Sequence, residues 1–187
     1  MNYDKSYFEV RGKALWFTGL SGAGKTTLAR SFQHRLRQEG VFCVVLDGDE
    51  LRQGINAGLG FTMQDRSENI RRIAEITRLF IDNGITCAVS TISPYPELRE
   101  NARNIIGKES FAEIFVNAPL SVCEERDVKG LYKKARQNEI SGFTGIQDKY
   151  VAPINPDLEI RTDLLSIDEA THRLAAWFEQ QSCRISS

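Results

Sequence analysis

Eight consecutive residues carry the clearest chemistry in the chain. Gly19, Leu20, Ser21, Gly22, Ala23, Gly24, Lys25 and Thr26 fit the pattern G-x-x-x-x-G-K-[ST]. Glycines let successive backbone N–H groups curl around phosphate oxygens. A helix starting directly after them turns its positive end to the same anion. The Lys25 ammonium can reach β and γ phosphates, and the Thr26 hydroxyl can hold Mg²⁺. The pattern predicts a nucleoside triphosphate site. Asp47 and Asp49 are the next candidates. They close an apolar run, and if that strand runs on, both project to one face. One carboxylate can then hold Mg²⁺ or its water, while the other accepts a proton from an attacking hydroxyl. The later apolar runs end in Ser90-Thr91 and Asn117 rather than in an acid, and no N-K-x-D signature is present. This arrangement favours a kinase of small molecules over a switch GTPase.

A second group could bind an acceptor. Arg52, Arg66, Arg71 and Arg72 each present a planar fork suited to phosphate or sulfate oxygens. In Asp65-Arg66-x-Glu68-Asn69, Arg66 and Asn69 stand three apart and share a helix face. Glu68 and Arg72 form an i, i+4 pair, and Arg71, Glu75 and Arg78 read as a solvated face. Phe61 and Phe143 are aromatic residues in polar, Gly-containing loops. Such rings either plug the core or sandwich a flat base.

These residues need a scaffold. Ala14–Thr18 reads as a buried strand, followed by the glycine turn and a helix from Lys25 to about Glu39. Val41–Leu46 is a second strand, and Asp47–Thr62 a polar connection. A helix runs from about Gln64 to Asn83, with Ile70, Ile73, Ala74, Thr77 and Phe80 or Ile81 on its apolar face. Ile85–Ser90 is a third strand, about Glu97–Ile106 a charged helix and Phe111–Asn117 a fourth strand. Pro119 opens a short helix reaching about Arg126. A basic segment spans Lys129–Tyr150, and a proline-containing connector covers Val151–Asp157. A short strand near Leu158–Arg161 and a helix from about Ile167 to Gln180 complete the chain. Strands alternating with helices predict an α/β fold of three layers, a mostly parallel sheet with helices on both faces. Residues 1–187 form one domain in this reading, with an N-terminal extension over 1–13.

The chain has 187 residues, and its 24 basic and 25 acidic side chains leave a net charge of −1. That balance argues against a nucleic-acid-coating protein. No apolar run approaches the roughly 20 residues a membrane helix needs. The N-terminus lacks a signal peptide's apolar core, so a cytoplasmic protein is expected. Cys43, Cys87, Cys123 and Cys183 form no C-x-x-C pair, and His34 and His172 stand far apart in sequence, which argues against zinc. Cys43, Cys87 and Cys123 read as buried small hydrophobes, Cys183 as a reduced thiol in a polar tail.

From about Ala14 to Phe178 the chain resembles the adenylylsulfate kinase family of P-loop kinases. The resemblance is carried by GLSGAGKTT, LDGDELRQGIN, LGF, DRSENIRR, ISPY, APLSVCEERDVKGLYKKAR and EISGFTGI followed by Tyr150. It implies a P-loop kinase fold and transfer from ATP, with Mg²⁺, to the ribose 3′-hydroxyl of adenosine 5′-phosphosulfate. The products would be ADP and 3′-phosphoadenosine 5′-phosphosulfate (PAPS), in sulfate assimilation. It implies a nucleotide site at Gly19–Thr27 (Thr27 included), with Arg136 in a mobile lid over about 129–150 and Thr162 near the ATP base. It implies an adenylylsulfate site of Asp49, Arg52, Phe61, Arg66, Asn69, Ile92, Ser93, Lys129, Gly142 and Phe143, the two phenylalanines stacking on adenine. Lys25, Asp47, Asp49 and Ser93 are the catalytic candidates, Thr26 and Asp47 the metal ligands. The position matching Ser93 is described in the family as a phosphoserine intermediate, although direct in-line transfer needs only positioning, Mg²⁺ and cations. A homodimer is implied, as is a functional link to sulfate adenylyltransferase. Pro96, Asn117 and Gln137-Asn138 depart from the common pattern. Two other readings stay open: a kinase of the same fold acting on another nucleotide-linked anion, and a non-catalytic nucleotide-binding partner of a sulfate adenylyltransferase.

Overall fold

The computed structural model describes residues 12–183; the first eleven residues of the expected N-terminal extension lie outside that range. Five parallel strands form the sheet: β1 (Ala14–Thr18), β2 (Cys43–Asp47), β3 (Thr86–Ser90), β4 (Phe111–Asn117) and β5 (Leu158–Arg161), in the order β2-β3-β1-β4-β5. All five residues of β1 and β3 are buried. Such strands lie under helices on both sides, which is why they read as continuous apolar runs rather than alternating ones.

The period of two along β1 divides the core. Leu15 and Phe17 pack with Leu28, Phe32, Leu174 and Phe178, from α1 (Lys25–Gln38) and α7 (Ile167–Cys183). Ala14 and Trp16 pack with Ile70, Ile73, Leu98 and Ala102, from α3 (Met63–Asp82) and α4 (Pro96–Ile106). Local chemistry sets the helix ends. Thr62 caps α3, its hydroxyl accepting from the Asp65 amide at 3.1 Å, and Gly84 follows the helix with φ +77°. Pro96 starts α4, where its missing N–H costs nothing.

One expectation changes. The strand does not run on past Asp47. Gly48 opens a short helix, α2 (Gly48–Arg52), because the Asp47 carboxylate caps it, accepting from the Asp49 amide at 2.8 Å and the Glu50 amide at 3.4 Å. Asp47 and Asp49 therefore do not share a strand face. The basic segment has regular structure of its own. It contains α6 (Leu131–Arg136) after α5 (Leu120–Arg126), with the Asp127 carboxylate accepting from the amides of Tyr132 and Lys133. The last helix extends to Cys183, three residues beyond the expected end. Cys43, Cys87 and Cys123 are buried free thiols, as their contexts suggested. Among the described residues no helix is long and apolar enough to cross a membrane, and no group of three or more His, Cys, Asp or Glu could hold a metal. His34 and His172, remote in sequence, line one small cleft between α1 and α7.

Candidate active site

At the carboxyl ends of the strands lies one cavity of about 1110 Å³. Pockets for one ligand usually span about 300–1,000 Å³, so this volume suits a ligand larger than one nucleotide, or two ligands side by side. The crevice beside the central strand is where open α/β sheets bind ligands.

Residues 19–24 form one end. Gly24 sits before α1 in the left-handed region, φ +93°, and no side chain caps the helix. The first turn of α1 holds no acid, so its amides and positive end face an anion without a competitor. Gly22, φ +75°, is required for a second reason: a Cβ there would stand 2.8 Å from the Cys123 carbonyl oxygen. Lys25 is buried, and its Nζ donates to the carbonyls of Gly19 at 2.9 Å and Leu20 at 2.7 Å. Burial lowers its pKa to about 8, against the pull of Asp49 and Asp47 in the other direction. Thr162, at the end of β5, donates from its hydroxyl to the Ala23 carbonyl at 2.7 Å.

Next to this loop, the Thr26 hydroxyl donates to Asp47 Oδ2 at 2.5 Å and lies 3.1 Å from the Ser90 hydroxyl. Asp47 is buried and spends Oδ1 on capping α2, so Oδ2 is the oxygen aimed at Thr26. A hydroxyl and a carboxylate oxygen side by side, beside a phosphate-binding loop, match what Mg²⁺ takes alongside phosphates and water. The residues fit the ion. Asp49 differs. It is exposed in the first turn of α2, and its Oδ2 accepts from Lys129 Nζ at 2.5 Å. That bond, above all, raises the Lys129 pKa.

The opposite wall comes from three segments. The Arg52 guanidinium lies 4.7 Å from the centre of the Phe61 ring and donates to the Leu59 and Gly60 carbonyls. Arg66 is buried and works as a clip. It donates to the Phe61 carbonyl at 2.9 Å, the Gly142 carbonyl at 2.7 Å and the Thr144 hydroxyl at 3.1 Å, and lies 3.5 Å from Asp148. One fork thus ties the loop of Phe61 to the loop of Phe143. Asn69 Oδ1 accepts from the fully buried Asn56 at 3.1 Å, and its amide nitrogen carries two further donors. Phe61 is 63% exposed, a platform rather than a core plug. Phe143 meets Tyr132 edge-on at 5.0 Å, and the Tyr132 hydroxyl donates to the Ser21 carbonyl at 2.8 Å.

Between the two halves runs the turn Ile92–Ser93. Ser93 is buried, with φ +39°, a conformation rare for a residue bearing a Cβ. Its Oγ accepts from Trp16 Nε1 at 3.1 Å, and the Thr18 hydroxyl donates to the Ile92 carbonyl at 2.8 Å.

The fold brings most of the expected residues to one cavity: Ser21, Gly22, Gly24, Lys25, Thr26, Thr27, Asp47, Asp49, Arg52, Phe61, Arg66, Asn69, Ile92, Ser93, Lys129, Gly142, Phe143 and Thr162 line it. Gly19, Leu20 and Ala23 support the loop from behind through the carbonyl contacts above. Arg136 is not on the wall; it pairs with Glu124 at 2.5 Å. The arginine beside the glycine loop is Arg126, which donates to the Thr162 carbonyl at 2.7 Å and to the Gly22 carbonyl. Sequence reading passed over Arg126 and Tyr132 because both sit among other polar or basic residues with no spacing that singles them out. Arg71 pairs with Glu68 and Glu75 on the helix surface, and Arg78 with Asp82, as expected of a solvated face.

The model of the family described as adenylylsulphate kinase matches residues 11–161. The chain is 54% identical over 166 residues to the adenylyl-sulfate kinase of Picosynechococcus sp., covering 89% of this chain and 93% of that one. It is 52% identical over 164 residues to the adenylyl-sulfate kinase of Bacteroides fragilis, covering 88% and 81%. Among solved structures, the Mycobacterium tuberculosis APS kinase CysC in complex with AMPPNP and APS superposes with a TM-score of 0.87 at 47% identity. That match covers 90% of this chain and 98% of the other. A gluconokinase from Sinorhizobium meliloti, 15% identical with a TM-score of 0.62, shares the fold.

Proposed function

The chain belongs to the adenylylsulfate kinase family, and from that premise we propose how its single cavity performs the family's reaction. ATP phosphorylates the ribose 3′-hydroxyl of adenosine 5′-phosphosulfate, giving PAPS and ADP, a step of sulfate assimilation. The observation that carries the reading is the facing of two unlike walls: an uncapped helix start with Lys25, and an arginine-and-phenylalanine wall joined by Arg66.

In this reading Gly19–Thr27 hold the ATP phosphates, with Arg126 and Thr162 at the base end. Thr26 and Asp47 hold Mg²⁺, which when bound offsets phosphate charge. Phe61 and Phe143 sandwich the second adenine. Arg52, Arg66 and Asn69 hold the phosphosulfate and ribose of the acceptor, Arg66 exchanging part of its carbonyl contacts for substrate oxygens. The 3′ oxygen forms a bond to the γ phosphorus while the β–γ bridging bond breaks and its electrons stay on ADP. Asp49 takes the 3′ proton. The division between the acids follows their surroundings: Asp47 spends Oδ1 on the α2 cap and turns Oδ2 to Thr26, whereas Asp49 is exposed toward the acceptor. Lys25 and Lys129 offset charge spreading over the transferred group. Ser93 contributes its turn rather than a phosphoserine, since its buried hydroxyl is already held by Trp16.

We also place the chain in the cytoplasm, as one kinase domain whose segment 129–150 closes as a lid and whose working state is a homodimer supplied by a sulfate adenylyltransferase. Closure over both substrates would keep water from competing as acceptor. The test is ADP release by the purified chain with ATP, Mg²⁺ and a panel of acceptors. Turnover with adenylylsulfate and formation of PAPS are expected. Turnover with another nucleotide-linked anion alone, or nucleotide binding with no ADP formed, would overturn the reading.

A further inference from the structure

We propose that Arg99 is a positioning residue: paired with Glu113, its guanidinium holds the Ser93 carbonyl and so fixes the Ile92–Ser93 turn against the acceptor. The inference deepens the proposed function and rests on it. Neither Arg99 nor Glu113 belongs to the motifs that mark the cavity.

The turn needs holding. A residue before proline is disfavoured in helical backbone regions, and the left-handed region adds a Cβ clash. Ser93 precedes Pro94 and has φ +39°. Among the described residues the only other non-glycine with φ beyond +20° is the exposed Asn138, at φ +58°. A strained conformation persists when its surroundings over-determine it. Here three buried side chains do so. Trp16 donates to the Ser93 hydroxyl, Thr18 to the Ile92 carbonyl at 2.8 Å, and Arg99 Nη1 to the Ser93 carbonyl at 2.9 Å. Both carbonyls of the turn are therefore fixed, one by Thr18 of β1 and one by Arg99 of α4, while Ile92, Ser93 and Pro94 line the cavity.

Arg99 is in turn fixed by Glu113. Its Nε lies 2.6 Å from Glu113 Oε1, and the two side chains are 6% and 10% exposed. Glu113 is the register partner of Trp16 across β4 and β1, so neighbouring positions of the sheet reach the same turn, one directly and one through Arg99. Asp157 holds the strand at this point, accepting from the Glu113 amide at 2.7 Å, and Arg103 lies 3.8 Å from Glu113. A buried ion pair is a poor source of net stability, because desolvation offsets its attraction; apolar side chains of similar volume usually serve a structural role as well. What apolar residues cannot do is set one rigid cationic plane against a carboxylate while donating from it to a carbonyl. Lysine, with a single ammonium on a flexible stem, reproduces the charge but not the fork.

The experiment measures KM for each substrate and kcat for Arg99→Gln, Arg99→Lys and Glu113→Gln in the full chain, alongside thermal melting. Expected is a rise of about tenfold in the acceptor KM for Arg99→Gln, the size of a lost hydrogen bond to a charged group. The ATP KM should change by less than about twofold, within ordinary variation for a site left untouched. Arg99→Lys should fall between Arg99→Gln and the parent chain. If Arg99→Gln does not fold, the same split is read from Arg99→Lys and Glu113→Gln. A lowered melting temperature with an unchanged ratio of the two KM values, or both KM values rising together, overturns the positioning role. Failure of the parent chain to use adenylylsulfate would instead refute the functional reading. The split would then be measured with whichever acceptor it phosphorylates, so the two failures are told apart.

Discussion

The two walls of the cavity are built on opposite plans. The end proposed for phosphate is a run of neighbouring residues, Gly19–Thr27, that offers mainly backbone amides and a helix terminus. The acceptor end gathers Arg52 and Phe61, Arg66 and Asn69, and Gly142 and Phe143, and it is held by side chains, Arg66 bridging to a carbonyl 76 residues away. A local wall of amides suits whatever carries a polyphosphate. A wall assembled from remote segments can be shaped to one acceptor, and it is the part where kinases of this fold can differ.

The contrast can be broken most severely at the phosphate end. Lys25→Ala should lower kcat by about 10³-fold, the scale of removing one charge-stabilising group from a transition state. It should leave melting nearly unchanged, because Lys25 is buried at a cost that lowers its pKa to about 8. Rate and melting curves on the same preparation check both parts. The two acids come next. Asp49→Asn should reduce kcat by about 10²-fold or more as a lost base. Asp47→Asn should instead raise the Mg²⁺ concentration needed for half-maximal rate. Near-normal turnover in both variants would remove the carboxylates from the mechanism.

At the acceptor end the losses should be smaller and selective. Phe61→Leu and Phe143→Leu should each raise the acceptor KM about tenfold, within the roughly 1–3 kcal/mol that aromatic stacking on a base contributes. The two should separate on stability. Phe61 is exposed, so its replacement leaves melting unchanged, whereas Phe143 packs edge-on against Tyr132 and its loss lowers the melting temperature. Equal effects of both on the ATP KM would erase the distinction between the walls.

The smallest effect is a proton. Burial sets the Lys25 pKa at about 8, below its ordinary 10.5. Between those values the unfolded chain carries the proton and the folded chain does not, so this group makes stability rise with pH across that window. Bound phosphates favour the ammonium. Nucleotide binding at pH 8.5 should therefore take up a fraction of a proton, and affinity should fall as pH rises past about 8. Calorimetry of an unreactive ATP analogue in buffers of different ionisation enthalpy checks the uptake, which Lys25→Met should abolish.

Much of this molecule is legible before folding. The strands Ala14–Thr18, Phe111–Asn117 and Leu158–Arg161 fall at the expected residues. Their apolar runs are bounded by glycine, proline or polar residues, and these are local signals. Asp47 shows where local reading stops. Its carboxylate could extend a strand or cap a helix, and only the amides of Asp49 and Glu50 decide for the cap. The expectation that both acids share a face fails for that reason. Arg66 was marked as an anion-binding fork by its type and helix position, but nothing in the sequence says that it also binds the Gly142 carbonyl. Arg136 is expected at the nucleotide only through the family resemblance of its basic segment. The turn of α6 gives it to Glu124 and leaves Arg126 at the loop.

By itself, then, the sequence determined the phosphate loop, the alternation of strands and helices, and the residue types able to hold a second anion. Each of these depends on neighbours within a few positions. Tertiary structure alone decided which of those residues meet: that Asp47 faces Thr26 while Asp49 faces Lys129, and that Arg66 joins two loops. It also decided that Trp16, Thr18 and Arg99 converge on one strained turn. Hydrogen bonds and ion pairs act over a few ångströms, and only the folded sheet brings residues dozens of positions apart within that reach.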